Sequence, residues 1–168
     1  YNIGLGYHAG YHITTGGDNT FSGRNAGAYL TTGSRNVFIG KYATGNNAAI
    51  VTGNDNISLG TCAGLKVTSG SDNIVLGCRA GCKLTTGNSN ILLGKSVASD
   101  STFTGTYNIF MGSYAGNRIS TGTHNIAFGS LALGGAVLVG DYNIAFGIDA
   151  GRKYAGADNT GCNIFIGK

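Results

Sequence analysis

An all-β fold, a parallel β-solenoid of about ten coils with roughly 17–20 residues in each, is what the chain predicts, and three observations carry it. The phrase Asn-Ile-x-Leu-Gly recurs, starting at Asn2, Asn19, Asn36, Asn56, Asn73, Asn90, Asn108, Asn125, Asn143 and Asn163. Its starts step forward by 17, 17, 20, 17, 17, 18, 17, 18 and 20, and a near-constant period of this size belongs to repeat architectures. Glycine fills 31 positions while proline, tryptophan and glutamate are absent, where average usage would supply about 8 prolines. Stacked coils join nearly every backbone N–H to a ladder, and proline has none to give.

Within each copy the residues have an order. After the Asn comes Ile in eight copies, with Thr20 and Val37 the exceptions, and two residues later an apolar residue except at Ser22. That alternation places both on one face of a strand, expected to face the coil interior. The residue that follows is Gly in every copy, from Gly6 to Gly167, which suits positive φ or a corner too tight for a Cβ. Three residues further stands Ala in eight of nine complete copies, Val97 being the exception, as expected where backbones approach closely. An apolar position (Ile13, Leu30, Val67, Leu84, Ile119), a Thr-rich pair and usually a Gly complete the coil, read as a second short strand and corner. The repeated Asn is expected to form a ladder of side-chain amides between coils. Residues 1–168 read as one repeat domain, and the opening in mid-pattern at Tyr1 suggests a piece of a longer fibre.

The remaining strand position is often apolar too: Phe21, Phe38, Val75, Leu92, Phe110 and Phe165 occupy it. A strand apolar on both faces is buried on both. These residues are therefore expected to point outward as an oligomer interface, closed by a three-fold bundle.

The Asn-Ile-Ala-Phe-Gly-x-x-Ala motif, complete at Asn125–Ala132, with linkers of the Thr-Thr-Gly-Ser-x-Asn type, resembles repeats of phage and viral tail fibres that end in an intramolecular chaperone of the endosialidase type. With a longer coil, it is also similar to the head repeats of trimeric autotransporter adhesins. The resemblance implies a homotrimer of parallel β-rolls serving as a shaft or receptor-contacting head, outside the cell or on the virion surface. The partners it implies are the chain itself and a cell-surface glycan or protein receptor.

Other classes are excluded or disfavoured by composition. Glycine lacks the every-third-residue period of collagen. With 42% of residues apolar and 11% charged the chain is not of disordered composition. The net charge of +4 comes from basic residues scattered singly in sequence, with Arg152-Lys153 the one adjacent pair, so a nucleic-acid stripe is not expected. The longest apolar stretch, 131–139, is far short of a membrane span. No nucleophile–base arrangement, phosphate loop or paired-carboxylate cleft stands out, so neither an enzyme nor a cofactor is expected.

Candidate recognition residues collect at the corner after the glycine: Tyr7, His8, Arg24, Tyr42, Arg79 and Tyr114, joined by Arg152 and Lys153 near an insertion. Insertions within 44–51 and 153–158, and the apolar segment 131–139, are the preferred contact surface. Cys62 and Cys78 are candidates for a disulfide between successive coils, and Cys82 and Cys162 for links between chains if oxidised. A metal site is not expected, since His8 and His12 do not lie on a helix and Asp18, Asp55 and Asp72 suit turn capping. Three functions compete on this reading: an adhesive fibre module, a self-assembling extracellular filament joined through its uncapped ends, and an ice-binding solenoid using Thr14-Thr15, Thr31-Thr32 and Thr85-Thr86.

Overall fold

The computed structural model describes all residues except 46–49, 136–139, 154–160 and 168. Ten short strands, one per repeat, stack in chain order into a single parallel sheet. They are β1 (Asn2–Leu5), β2 (Asn19–Ser22), β3 (Val37–Ile39), β4 (Ile57–Leu59), β5 (Ile74–Leu76), β6 (Ile91–Leu93), β7 (Ile109–Met111), β8 (Ile126–Phe128), β9 (Ile144–Phe146) and β10 (Ile164–Ile166). Register is kept throughout, so that Ile74 pairs with Ile91 and Val75 with Leu92, and every coil is a copy displaced along one axis. The second strand expected in each coil is reduced to isolated bridges, Leu30 with Val51 and Leu84 with Phe103.

The asparagines hold the stack together in two directions. Asn90 Nδ2 and its backbone N–H both donate to Asn73 Oδ1 at 3.0 Å, and Asn90 Oδ1 in turn accepts the same pair from Asn108. Asn90 Nδ2 also donates to the Gly105 carbonyl at 2.9 Å, which ties the start of a coil to its end. The pattern repeats from Asn2 donating to Gly16 through Asn125 donating to Gly140. From Asn19 to Asn143 the ladder asparagines are at most 1% exposed, and from Asn19 to Asn125 each buried amide has its donors and acceptor matched.

The outward placement of Phe21, Phe38, Val75, Leu92 and Phe110 is overturned. All five are at most 1% exposed and fill the coil interior, and Phe165 packs partly buried against the same core. The reason is parity. Successive side chains alternate faces, so with Asn turned inward the residue two later is inward as well, and the Ile and Leu between and after them face out. Two further rows complete the interior, the Ala row (Ala26, Ala43, Ala63, Ala80, Val97, Ala115) and an apolar row that includes Val51 and Phe103 beside Leu30, Leu84 and Ile119.

Side-chain volume is balanced across this interior. Gly27 lies against the Phe21 and Phe38 rings, where a Cβ would collide with them. Where the inward strand residue is small, the position four after the corner glycine grows: Leu133 fills it beside the Ala127 and Ala145 coils, and Thr44 beside Ser58. Thr44 Oγ1 and Ser58 Oγ are 2.8 Å apart and buried, and this polar pair divides the core into two apolar clusters.

Left-handed backbone recurs at fixed places. The residue before the ladder Asn has φ near 57° whatever its identity, as at Asp55, Tyr107 and His124. So does the residue two after the corner glycine, as at Tyr42, Cys62 and Arg79. The corner glycines themselves sit near φ 130°, and a Cβ on Gly60 would stand 2.7 Å from the Gly77 carbonyl oxygen.

Two outcomes test this architecture. Asn90→Ala strips partners from Asn73, Gly105 and Asn108, and is expected to lower unfolding stability by roughly 3–5 kcal/mol, read from the denaturation midpoint. Ser58→Phe alone overfills the coil and is expected to destabilise by about 1–3 kcal/mol. Adding Thr44→Gly, which recreates the Gly27–Phe38 arrangement, should recover most of that loss, and a double-mutant cycle showing no coupling would refute the volume balance.

Candidate functional site

Three surfaces run the length of the solenoid, each built by stacking one segment of the coil. The first is the outer face of the sheet. Its two rows are the residues one and three after each ladder Asn, and across the ten strands only Thr20 and Ser22 among them are polar. Ile39, Ile57 and Phe146 are among its exposed members, and Phe128 stacks on Phe146 with ring centres 5.1 Å apart and planes 1° off parallel. Ten strands at about 4.8 Å and three residues at about 3.3 Å give a flat stripe on the order of 500 Å². That is at the upper end of the largest apolar patch a monomer normally exposes.

The second surface is the turn after the corner glycine, where the candidate recognition residues were expected. In each coil the N–H two after the glycine donates to the carbonyl one after the glycine in the preceding coil, as Cys62 does to Lys41 at 2.9 Å and Arg79 to Thr61 at 2.9 Å. Tyr42 sits in this register with the Arg24 guanidinium 5.9 Å and the Lys41 ammonium 5.3 Å from its ring centre. Tyr114 occupies the same register two coils beyond Arg79 and is 38% exposed. Tyr7 and His8 lie in the first coil, stacked at 3.9 Å, and continue through Tyr11 and His12 to Tyr29. Arg152 and Lys153 are exposed at the ninth coil, with Arg152 paired to Asp149 at 3.0 Å. The insertions expected to carry contacts fall partly outside the described residues, at 46–49 and 154–158, as do positions 136–139 of the apolar segment.

The third surface is the corner before the ladder Asn. Asp18, Asp55 and Asp72 are not an unbroken carboxylate column, because Arg35 stands between the first two and bonds Asp55 through Nε and a terminal nitrogen, both at 2.7 Å. The Arg35 hydrogen bonds, with its charge as a lesser contribution, hold the exposed Asp55 carboxyl below the usual carboxylate range. Further along the same corner His124 is sandwiched between Tyr107 and Tyr142, each 4.9 Å away. Their shared left-handed backbone aims the three rings alike, and the coil spacing stacks them.

The threonines next to this corner are engaged. Thr14, Thr31, Thr68 and Thr85 donate their hydroxyls to carbonyls of the next coil at 3.1–3.4 Å. The pair shrinks to a single Thr52 or Thr104 in the third and sixth coils, where Gly53 and Gly105 follow directly. The hydroxyl array is thus interrupted.

All four cysteines are free thiols: Cys78 and Cys162 exposed, Cys62 half-buried and Cys82 buried. Arg79, not Cys78, occupies the register position next to Cys62 in the following coil. Cys62 and Cys82 instead line one cavity of about 180 Å³ together with Leu65, Lys66, Arg79 and Lys83. Burial pushes the Cys82 thiol up, against a smaller opposite pull from Arg79 and Lys83, and its Sγ lies 3.6 Å from the Ser99 carbonyl. Among the described residues no cluster of three or more His, Cys or Asp side chains is placed to hold a metal ion. Among the same residues no helix is long and apolar enough to cross a membrane.

Compared with family models, curated proteins and solved structures, the chain matches none. The fold class is therefore defined by the structure alone: a parallel β-solenoid repeat protein whose register partners recur about 17 residues apart.

Thiol accessibility follows from this geometry. Timed alkylation of the folded chain, read by mass spectrometry, is expected to modify Cys78 and Cys162 first, Cys62 next and Cys82 last. Modification of Cys82 at the Cys78 rate would contradict its burial.

Proposed function

We propose that the chain is a structural and adhesive module, a segment of a homotrimeric fibre whose sheet faces pack on one another while the turn edges stay outside to meet a receptor. The observation that supports it is the outer sheet face, apolar at all but Thr20 and Ser22 along ten strands. In a closed trimer that face of roughly 500 Å² is shared between two neighbours, so each contact takes about half of it and the assembly as a whole, more than any single pairwise contact of standard size, covers the stripe. A second copy of this chain is the occupant that fits, because its rows recur with the same coil spacing and interdigitate along the whole length. Each strand offers two outward rows, and a closed three-fold arrangement gives each neighbour one of them. The reading thus keeps the trimer of the sequence argument and moves its axis from the phenylalanine row to the Ile and Leu rows.

Light scattering on the purified chain is the test, with an expected mass near three times 17.0 kDa. Leu76→Glu with Leu93→Glu puts charge on the half-buried outer row and is expected to yield monomers with unchanged β-sheet circular dichroism. A wild-type monomer at micromolar concentration would sink the trimer. Large polydisperse particles would favour end-to-end filaments instead.

A further inference from the structure

The basic residues that stand singly in the sequence are gathered by the coil period onto one edge. Arg24, Lys41 and Lys95 take the position directly after the corner glycine, and Arg79 the one after that. Lys66, Lys83, Arg118 and Lys153 recur at the sixth position after the glycine, with Arg152 beside them. Among the described residues, Asp100 and Asp149 oppose these nine cations on the same turn. The Asp100 carboxylate is already hydrogen-bonded to Ser99 and Asn117, and Asp149 is paired with Arg152. The other described acids, Asp18, Asp55, Asp72 and Asp141, lie on the corner before the ladder Asn, with Arg35. The solenoid is therefore electrically two-sided, with a basic edge running its length.

Halfway along that edge the cavity lined by Leu65, Cys82 and Cys62 carries Lys66, Arg79 and Lys83 around it. Among the described residues none of these three cations is in an ion pair; Lys83 Nζ donates to the Asp100 backbone carbonyl at 2.8 Å. A volume of about 180 Å³ is below that of a drug-sized ligand pocket and suits a single ring bearing one acidic group. Its apolar floor suits the carbon face of such a ring, and Tyr42 and Tyr114 offer further flat surfaces along the same edge.

We propose that this basic edge binds a linear acidic polysaccharide lying along the solenoid axis, with one acidic group seated among Lys66, Arg79 and Lys83. Roughly one cation per coil gives a charge every 4.8 Å or so, wider than the ~3.4 Å per phosphate along either strand of duplex DNA and closer to one acid per sugar ring. The regular aromatic platforms that single-stranded nucleic acid uses are also lacking along most of the edge. The proposal names the receptor chemistry of the adhesive reading and rests on that part of it, but not on the trimer.

Fluorescence anisotropy of the whole chain with labelled polygalacturonate oligosaccharide tests it, with neutral dextran as control and single-stranded DNA as competitor. Binding is expected to weaken with salt, and the triple variant Lys66→Gln, Arg79→Gln, Lys83→Gln is expected to bind at least about thirtyfold more weakly. Its salt dependence should be shallower by about 2 in log–log slope. Lys41→Gln with Lys95→Gln, on the edge but outside the cavity, should give an intermediate loss, and Arg35→Gln, which removes a cation elsewhere, should stay within about twofold of wild type. Circular dichroism checks that each variant is folded. The same loss in binding free energy per cation removed in Arg35→Gln and in the triple variant would reduce the effect to net charge and overturn the proposal, as would no binding to polygalacturonate at low salt, or DNA binding more tightly. Mass measured on the same samples separates the two readings: a monomer that binds polygalacturonate sinks only the trimer, and a trimer that does not bind it sinks only this proposal.

Discussion

Everything in this solenoid depends on one side chain being able to do two jobs at once. The ladder asparagine bonds along the axis to its neighbour and across the coil to the glycine carbonyl that ends the turn, so a single buried amide fixes both the stacking and the closure. A carboxylate lacks the donors, a hydroxyl lacks the reach, and an aliphatic residue would leave the neighbouring carbonyl, N–H and amide unmatched inside the core, at about 1–3 kcal/mol each. Asn is the residue whose amide meets all of these demands at a buried strand position.

With closure assigned to the amide, the remaining interior is free to vary as long as its volume is conserved. Phe opposite Gly, Ala opposite Leu and Ser opposite Thr are three solutions to filling the same cross-section. The backbone is less permissive. Left-handed conformations at fixed places in each coil are imposed on Arg, Tyr, His and Leu as readily as on Asp, although such residues rarely adopt them unaided. The inter-coil ladder overrides local preference here, and it uses the result to stack like side chains on one another, as at Tyr107, His124 and Tyr142.

The period, the all-β class and the stacking of one strand per repeat were legible from the spacing of the Asn-Ile-x-Leu-Gly phrase. Which way each strand faces is the reverse of what its hydrophobicity suggests, although the signal is present in the sequence. An inward Asn fixes the parity of the whole strand, so Phe110 goes in and Ile109 and Met111 go out, however ordinary an interior Ile and Leu would be. Hydrophobicity alone cannot decide this when both faces are apolar. Val51 and Phe103 do not stand out in the sequence as core residues, because an altered coil length shifts them relative to the simple repeat. The basic edge is hidden in the linear sequence for a different reason: residues one period apart are strangers in the sequence and neighbours in the stack, so the charges cluster modulo the coil, not along the chain.

The pairing scheme has one further consequence. Among the described residues every bond between coils joins adjacent coils, so no coil is bonded to more than its two neighbours. Copy number is then a free variable. A gene that gained or lost one unit would lengthen or shorten the rod by one layer and leave every other layer as it was. Reach can thus be tuned by recombination between repeats, without redesigning the cross-section.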